Sequence, residues 1–92
     1  MANKKDEKRA KAGDKHLRGA ELSDADLRDA DLTMADLSKA NLAGADLRDA
    51  DLRAANLAGV TNLTDADLTG AKYAKTHWPV GFDPEKAGAI EA

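Results

Sequence analysis

The chain has 92 residues, with 14 Lys and Arg against 17 Asp and Glu, no cysteine, and one each of Trp, Tyr and Phe. That length fits one small domain that buries only a modest share of its surface, so the ends of its core need sealing. The lack of cysteine removes disulfides and thiolate metal sites. No apolar run is long enough for a signal peptide or a membrane span, so a soluble, cytoplasmic protein is expected.

Charge is unevenly spread. Residues 1 to 16 carry six Lys and Arg against three Asp and Glu, residues 17 to 73 six against eleven, and residues 74 to 92 two against three. A basic amino-terminal tail therefore precedes an acidic body. The tail, residues 1–14, has helix-forming residues, but within "NKKDEKRAKAGDK" only Ala10 and Ala12 are apolar. It reads as a charged tail or a weak helix. Acids interleave its bases and no aromatic accompanies them, which argues against a nucleic-acid arm.

Residues 15–73 have a period of five. Leucine stands at 17 and then at Leu22, Leu27, Leu32, Leu37, Leu42, Leu47, Leu52, Leu57, Leu63 and Leu68, with Tyr73 in the next place. In an α-helix a step of five turns the side chain by about 140°, so no apolar stripe forms. In an extended strand an odd period sends successive leucines to opposite faces. A turn must therefore reset the direction once per repeat, which is the mark of a solenoid. Alanine, two residues before leucine, is small enough for an inward place near the corner. Leucine fills the interior, and the Asp or Asn between them points out and caps backbone donors at the turn.

The pattern departs from itself twice. One extra residue lies between Leu57 and Leu68, in "AGVTNLTDA", and is expected as a bulge at Val60, with Thr61 and Asn62 keeping their places before Leu63. Lys15 takes an inward position that elsewhere holds Ala, as befits a terminal repeat.

Residues 74–92 read as a capping segment. Trp78, Val80 and Phe82 are expected to plug the open end, with Tyr73 beside them. A short helix follows, capped by Asp83 with Pro84 at its first position. Tyr73, Trp78 and Phe82 could instead form an interface, including a homodimer joined through a solenoid end.

Candidate chemistry is thin. His16 and His77 read as lying outside the regular repeats, and neither has a nucleophile at a spacing that fixes geometry. The aspartates recur as a lattice, without a unique pair in a cleft, and lack calcium-loop spacing. These residues predict a protein that is not an enzyme, with no catalytic, cofactor or metal residues, no small-molecule substrate, no membrane partner and no direct nucleic-acid binding.

The run A-D-L-R-D, A-D-L-T-M, A-D-L-S-K, A-N-L-A-G, A-D-L-R-D, A-D-L-R-A, A-N-L-A-G closely resembles the A-(D/N)-L-X-X consensus of pentapeptide repeat proteins, over residues 15–73. The tail W-P-x-G-F-D-P-x-x-A-G-A is similar to a segment that follows the repeats in part of that family. The resemblance implies an all-β fold, a right-handed quadrilateral parallel β-helix of about three coils, with a short helical and aromatic C-terminal cap. Residues twenty apart would then stack, Leu17, Leu37 and Leu57 in one internal column and Leu27, Leu47 and Leu68 in another. Outside, Arg28 would lie over Arg48 and Asp29 over Asp49, beside Asp26, Asp46 and Asp67, and Arg28, Arg48, Asp29 and Asp49 are the candidate recognition surface. The function this supports is a small bacterial structural or protein-interaction module with an unidentified protein partner. The alternative implied by the family is a DNA mimic acting on gyrase or topoisomerase. That role suits long acidic rods better than a three-coil stub.

Overall fold

Each five-residue unit closes in the same way in the computed structural model, which describes residues 1–92. The N–H at the alanine position donates to the carbonyl of the leucine three residues earlier, from Ala20 to Leu17 at 3.0 Å through Ala71 to Leu68 at 3.0 Å. The residue just before that alanine is left-handed, with φ of 61° at Asp24, 59° at Asp29, 60° at Met34, 61° at Lys39, 60° at Asp49 and 60° at Ala54, and glycine at 19, 44, 59 and 70. A type II turn needs a positive φ at this third place, where glycine, asparagine and aspartate are tolerated best.

The turns stack the chain on itself. Parallel bridges join His16 to Asp36, Glu21 to Asn41, Asp26 to Asp46 and Asp31 to Asp51, and continue through Asn56 to His77. Stacked positions are twenty residues apart over the first part of the chain, so four turns make one circuit. Leucine N–H groups reach forward, Leu17 to the Asp36 carbonyl at 2.9 Å, while the N–H of Asp36 reaches back to Lys15 at 2.8 Å. Of 54 backbone hydrogen bonds, 49 lie outside the helix and paired strands, so turns and coil-to-coil bonds hold this β-helix together. The interior holds the leucines: Leu17, Leu22, Leu27, Leu32, Leu37, Leu42, Leu47, Leu52, Leu57 and Leu68 are all essentially inaccessible, and Leu63 nearly so. Each such burial contributes on the order of 1.5 to 3 kcal/mol.

The extra residue is absorbed two residues later than the sequence suggests. Val60 is buried in the regular alanine place and donates to Leu57 as its counterparts do, and Thr61 pairs with Asn41. Asn62 is the inserted residue. It is left-handed at φ 59° and leads into a short 3₁₀ turn, Leu63–Asp65, after which the register is 21, as in Asp46 with Asp67. The distortion weakens this corner: Thr61 to Ala40 stretches to 3.3 Å, and the N–H groups of Leu42 and Gly44 reach no backbone carbonyl.

Both ends are covered. Helix α1, Lys4–Lys11, starts at Asn3, whose side chain accepts from the N–H groups of Lys5 and Asp6, and it buries Ala10 completely. It is a docked helix and not a loose tail. At the other end β1, Lys72–Tyr73, pairs in parallel with β2, Ile90–Glu91. His77 pairs with Asn56, which puts Trp78 where the column Leu17, Leu37, Leu57 would next place a leucine. Tyr73 meets Trp78 edge-on at 5.7 Å, and Phe82 stacks on Trp78 at 5.2 Å. Aromatic contacts of this kind add about 0.5 to 1.5 kcal/mol each beyond burial. Two expectations for this segment fail. Val80 is fully exposed, because the turn at Pro79 to Phe82 carries it off the core, and residues 84–88 form successive turns instead of a helix. Asp83 still caps them, accepting from Glu85 and Lys86. No helix is long and apolar enough to cross a membrane.

Replacing Leu47 by Asp places an unpaired charge in the inaccessible middle of the column and is expected to unfold the chain, whereas Leu47→Ala should cost about 2 to 5 kcal/mol. Arg48→Ala on the outside should change little, and equal thermal midpoints for Leu47→Asp and Arg48→Ala would refute the register. The corners give a second test. Met34 is left-handed and largely exposed, so Met34→Asn should stabilise by roughly 0.5 to 1 kcal/mol by relieving a strained φ. Gly44→Ala should do the opposite, since a Cβ there would lie 2.2 Å from the Asp24 carboxylate at φ +69°. Thermal midpoints of opposite sign are the expected result.

Candidate interaction surface

The Asp or Asn of each repeat sits on the ladder and its side chain turns back to cap the corner ahead. Oδ1 accepts from the N–H two residues on at Asp26, Asp31, Asp36, Asn41, Asp46, Asp51, Asn56 and Asp67, at 3.0 to 3.3 Å. At several of these corners, though not at Ala43 and Ala58, the capped residue bonds the carboxylate again with its own side chain. Where it is Ser or Thr, its hydroxyl donates to the same oxygen, as Thr33 does to Asp31 at 2.6 Å. Ser23 does so to Glu21 at 2.6 Å, and Ser38 to Asp36.

Where it is Arg, a two-pronged pair results. Arg28 donates through Nε and Nη2 to Asp26, each at 2.9 Å. Arg48 does the same to Asp46 at 2.9 and 2.7 Å, and Arg53 to Asp51 at 2.9 and 2.6 Å. Such forked bonds to carboxylate are stronger and more directional than neutral ones. Two of these pairs lie in one column and link across coils, Arg28 to Asp46 at 3.7 Å and Arg48 to Asp67 at 3.8 Å. One side therefore carries a continuous alternation Asp26, Arg28, Asp46, Arg48, Asp67, with both arginines half exposed.

Arg28 and Arg48 stand in one column and share contact with Asp46. Asp29 and Asp49 occupy the adjoining left-handed corners, stacked and exposed, and form no ion pair. Tyr73, Trp78 and Phe82 gather at the C-terminal end, chiefly on one another, and the indole Nε1 of Trp78 is buried without a partner. His16 and His77 prove to be regular ladder members, paired with Asp36 and Asn56 in the Asp or Asn place. No three His, Asp or Glu side chains converge as a metal-binding group. A shallow depression of about 680 Å³ lies beside the charged column, lined by Lys11, Asp26, Arg28, Asp29, Ala30 and Asp31.

Sequence reasoning did not find the role of Asp6 and Glu7. The Asp6 carboxylate accepts from the N–H of Glu21 at 2.9 Å, and that of Glu7 from Asp26 at 2.8 Å. The local signal for the helix was present, in acids at 6 and 7 and bases at 8, 9 and 11, an order that complements the helix dipole.

Residues 16–44 and 35–72 match the family model described as Pentapeptide repeats, in eight copies. Among solved structures, a pentapeptide repeat protein, Rfr23, from the cyanobacterium Cyanothece 51142 is 44% identical over 68% of this chain and 43% of that one, with a TM-score of 0.66. This chain thus spans less than half of that relative. The pentapeptide repeat protein alr5209 from Nostoc Pcc 7120 is 34% identical over 99% of this chain and 96% of its own, with a TM-score of 0.41. No protein of curated function matches significantly.

The carboxylates have a shared dependence on pH. The Arg28 fork holds Asp26 well below the usual carboxylate range, and the Arg48 and Arg53 forks lower Asp46 and Asp51. The hydroxyls of Thr33, Ser38 and Ser23 lower Asp31, Asp36 and Glu21. A carboxylate lowered by folding stabilises the folded chain at every pH above its ordinary value, and this is lost as pH falls through the lowered one. Thermal stability should therefore be flat from neutral down to pH of about 5 and decline steadily below about 4. Burial raises Tyr73, so ionising it at high pH works against the fold. A midpoint that rises on acidification, followed by circular dichroism, would contradict this assignment.

Proposed function

The chain belongs to the pentapeptide repeat family, and on that premise we propose that it is a small non-enzymatic module that presents a charged side face to a protein partner. Its body is a short right-handed quadrilateral β-helix of about three coils, closed by the aromatic C-terminal segment. The observation that carries the reading is the fixed alternation from Asp26 through Arg28, Asp46 and Arg48 to Asp67. Each guanidinium is held by two bonds to its own aspartate and by the coil above or below, so the charge pattern is preorganised on a rigid support. Preorganisation lowers the ordering cost of association, and charge complementarity gives specificity and on-rate more than raw affinity.

Asp29 and Asp49 extend the face with unpaired charge at the next corner. The surface depressions are open and shallow, which suits a protein surface better than a small substrate. The DNA-mimic reading draws on the acidic body, with its eleven Asp and Glu between residues 17 and 73. Its claim is weaker, because three arginines neutralise that acid in place and the longest dimension is only 30 Å.

Immobilised wild-type protein and an Arg28→Glu, Arg48→Glu variant should differ in what they retain from host extract, with at least one species lost from the variant and recovered less well as salt rises. Identical retention by both removes this face from consideration. Supercoiling by gyrase should be unaffected by the purified protein. Inhibition near equimolar ratio would favour the DNA mimic.

A further inference from the structure

The first coil has no coil before it, yet three of its ladder donors are satisfied, that of His16 by the nearby Asp14 carboxylate at 2.9 Å and two by α1. In the next coil the N–H groups of Asn41 and Asp46 donate to the carbonyls of Ala20 and Ala25, each at 2.9 Å. The matching donors one coil earlier are Glu21 and Asp26, and they are met by carboxylate oxygens of Asp6 and Glu7 at 2.9 and 2.8 Å. The Glu21 carbonyl in turn accepts from the Asn3 N–H at 2.9 Å. Two adjacent side chains of α1 thus stand in for the carbonyl row of an absent coil. The acids of α1 face the ladder, while Lys4, Lys5, Lys8 and Lys11 are exposed and form no ion pair.

At the opposite end the same two columns finish in unpaired acceptors. The carbonyls of Val60 and Ala66 succeed those of Ala20 and Ala40, and of Ala25 and Ala45, in the ladder, and no donor of the chain reaches them. Donors covered by α1 at one end therefore match free acceptors at the other, column for column.

We propose that α1 is a displaceable edge guard, and that the edge beneath it is a docking surface for a second copy of this chain, seated head to tail with its Val60 and Ala66 carbonyls replacing the carboxylates of Asp6 and Glu7. Unpaired strand edges are templates for further strands, and proteins commonly cover them. A head-to-tail contact uses two different surfaces and does not close on itself, so its product grows into chains. This self-association is independent of whichever side face meets a protein partner.

The test compares the full-length wild type with Asp6→Ala/Glu7→Ala and with Asp6→Asn/Glu7→Gln, by light scattering across a concentration series. Wild type should stay monomeric. The alanine pair should grow in mass with concentration to at least twice the wild-type value, and the amide pair, which keeps its acceptor oxygens, should remain a monomer. Wild-type oligomers, a folded monomeric alanine pair, or equal growth in the amide pair would each overturn the proposal, the last by tracing association to charge alone. Should the alanine pair fail to fold, the single variants decide. Asp6→Ala should free the Glu21 amide, and Glu7→Ala the Asp26 amide, to rapid hydrogen exchange, with weaker but measurable association. A freed amide in a chain that stays monomeric refutes it.

Discussion

Everything in this molecule depends on the coil-to-coil ladder, in which a leucine N–H reaches forward and an Asp or Asn N–H reaches back. Leu37 to Asn56 and Asn56 to Ala35 are one such couple, at 2.8 and 2.9 Å. The ladder works only if the chain comes round to the same place on each circuit, twenty residues where the repeat is regular and twenty-one past Asn62, and that requires a tight corner in each repeat. Leucine columns, outward charges and the exposed Met34 are consequences of that closure. The cost appears at the corners, where Met34, Lys39 and Ala54 adopt a left-handed backbone that favours glycine or asparagine. The ladder over-determines these positions, so the strain persists.

A ladder built from identical circuits has no natural end. The two termini resolve this by different chemistry. At the start, charged side chains imitate backbone carbonyls, which asks only for an oxygen at the right height and leaves α1 free to be an ordinary capped helix. At the finish, shape matters more: Trp78 extends a leucine column, and Tyr73 and Phe82 close around it. That end leaves more unfinished, including the buried Trp78 Nε1, the exposed Val80 and the free carbonyls of Val60 and Ala66. Polar substitution thus seals an edge more completely here than apolar filling does.

What could be read from the sequence follows the same division. Leu47 and Asp46 were legible because a period of five repeated nine or more times averages away local ambiguity, and the family resemblance supplied four sides. The stacking of Arg28 on Arg48 followed from those two facts. Single events were harder. In "VTNL" both Thr61 and Asn62 can serve in the Asp or Asn place, so composition cannot say which is inserted. Only the pairing of Thr61 with Asn41 and the left-handed φ of Asn62 separate them. The role of Asp6 and Glu7 was out of reach because their partners, Glu21 and Asp26, are 15 and 19 residues away and lie off any period. His16 and His77 were misplaced for a related reason, since a residue holds its ladder position by backbone pairing whatever its side chain.

The side faces inherit their chemistry from this arrangement. Because the ladder aspartate must cap the corner ahead, the residue two places on is held next to a carboxylate, and its identity decides what the surface displays. Serine or threonine there ties up one carboxylate oxygen in a short hydroxyl bond and leaves a negative charge with no fixed counter-ion, as at Asp36 with Ser38. Arginine there turns the same carboxylate into a fixed ion pair that reaches the neighbouring coil, as at Asp46 with Arg48. The choice at that single position in each repeat sets the electrostatic pattern without touching the ladder or the leucine core. Recognition and folding are thereby encoded at separate positions of one five-residue word, and a change in what the face binds need not alter what holds it up.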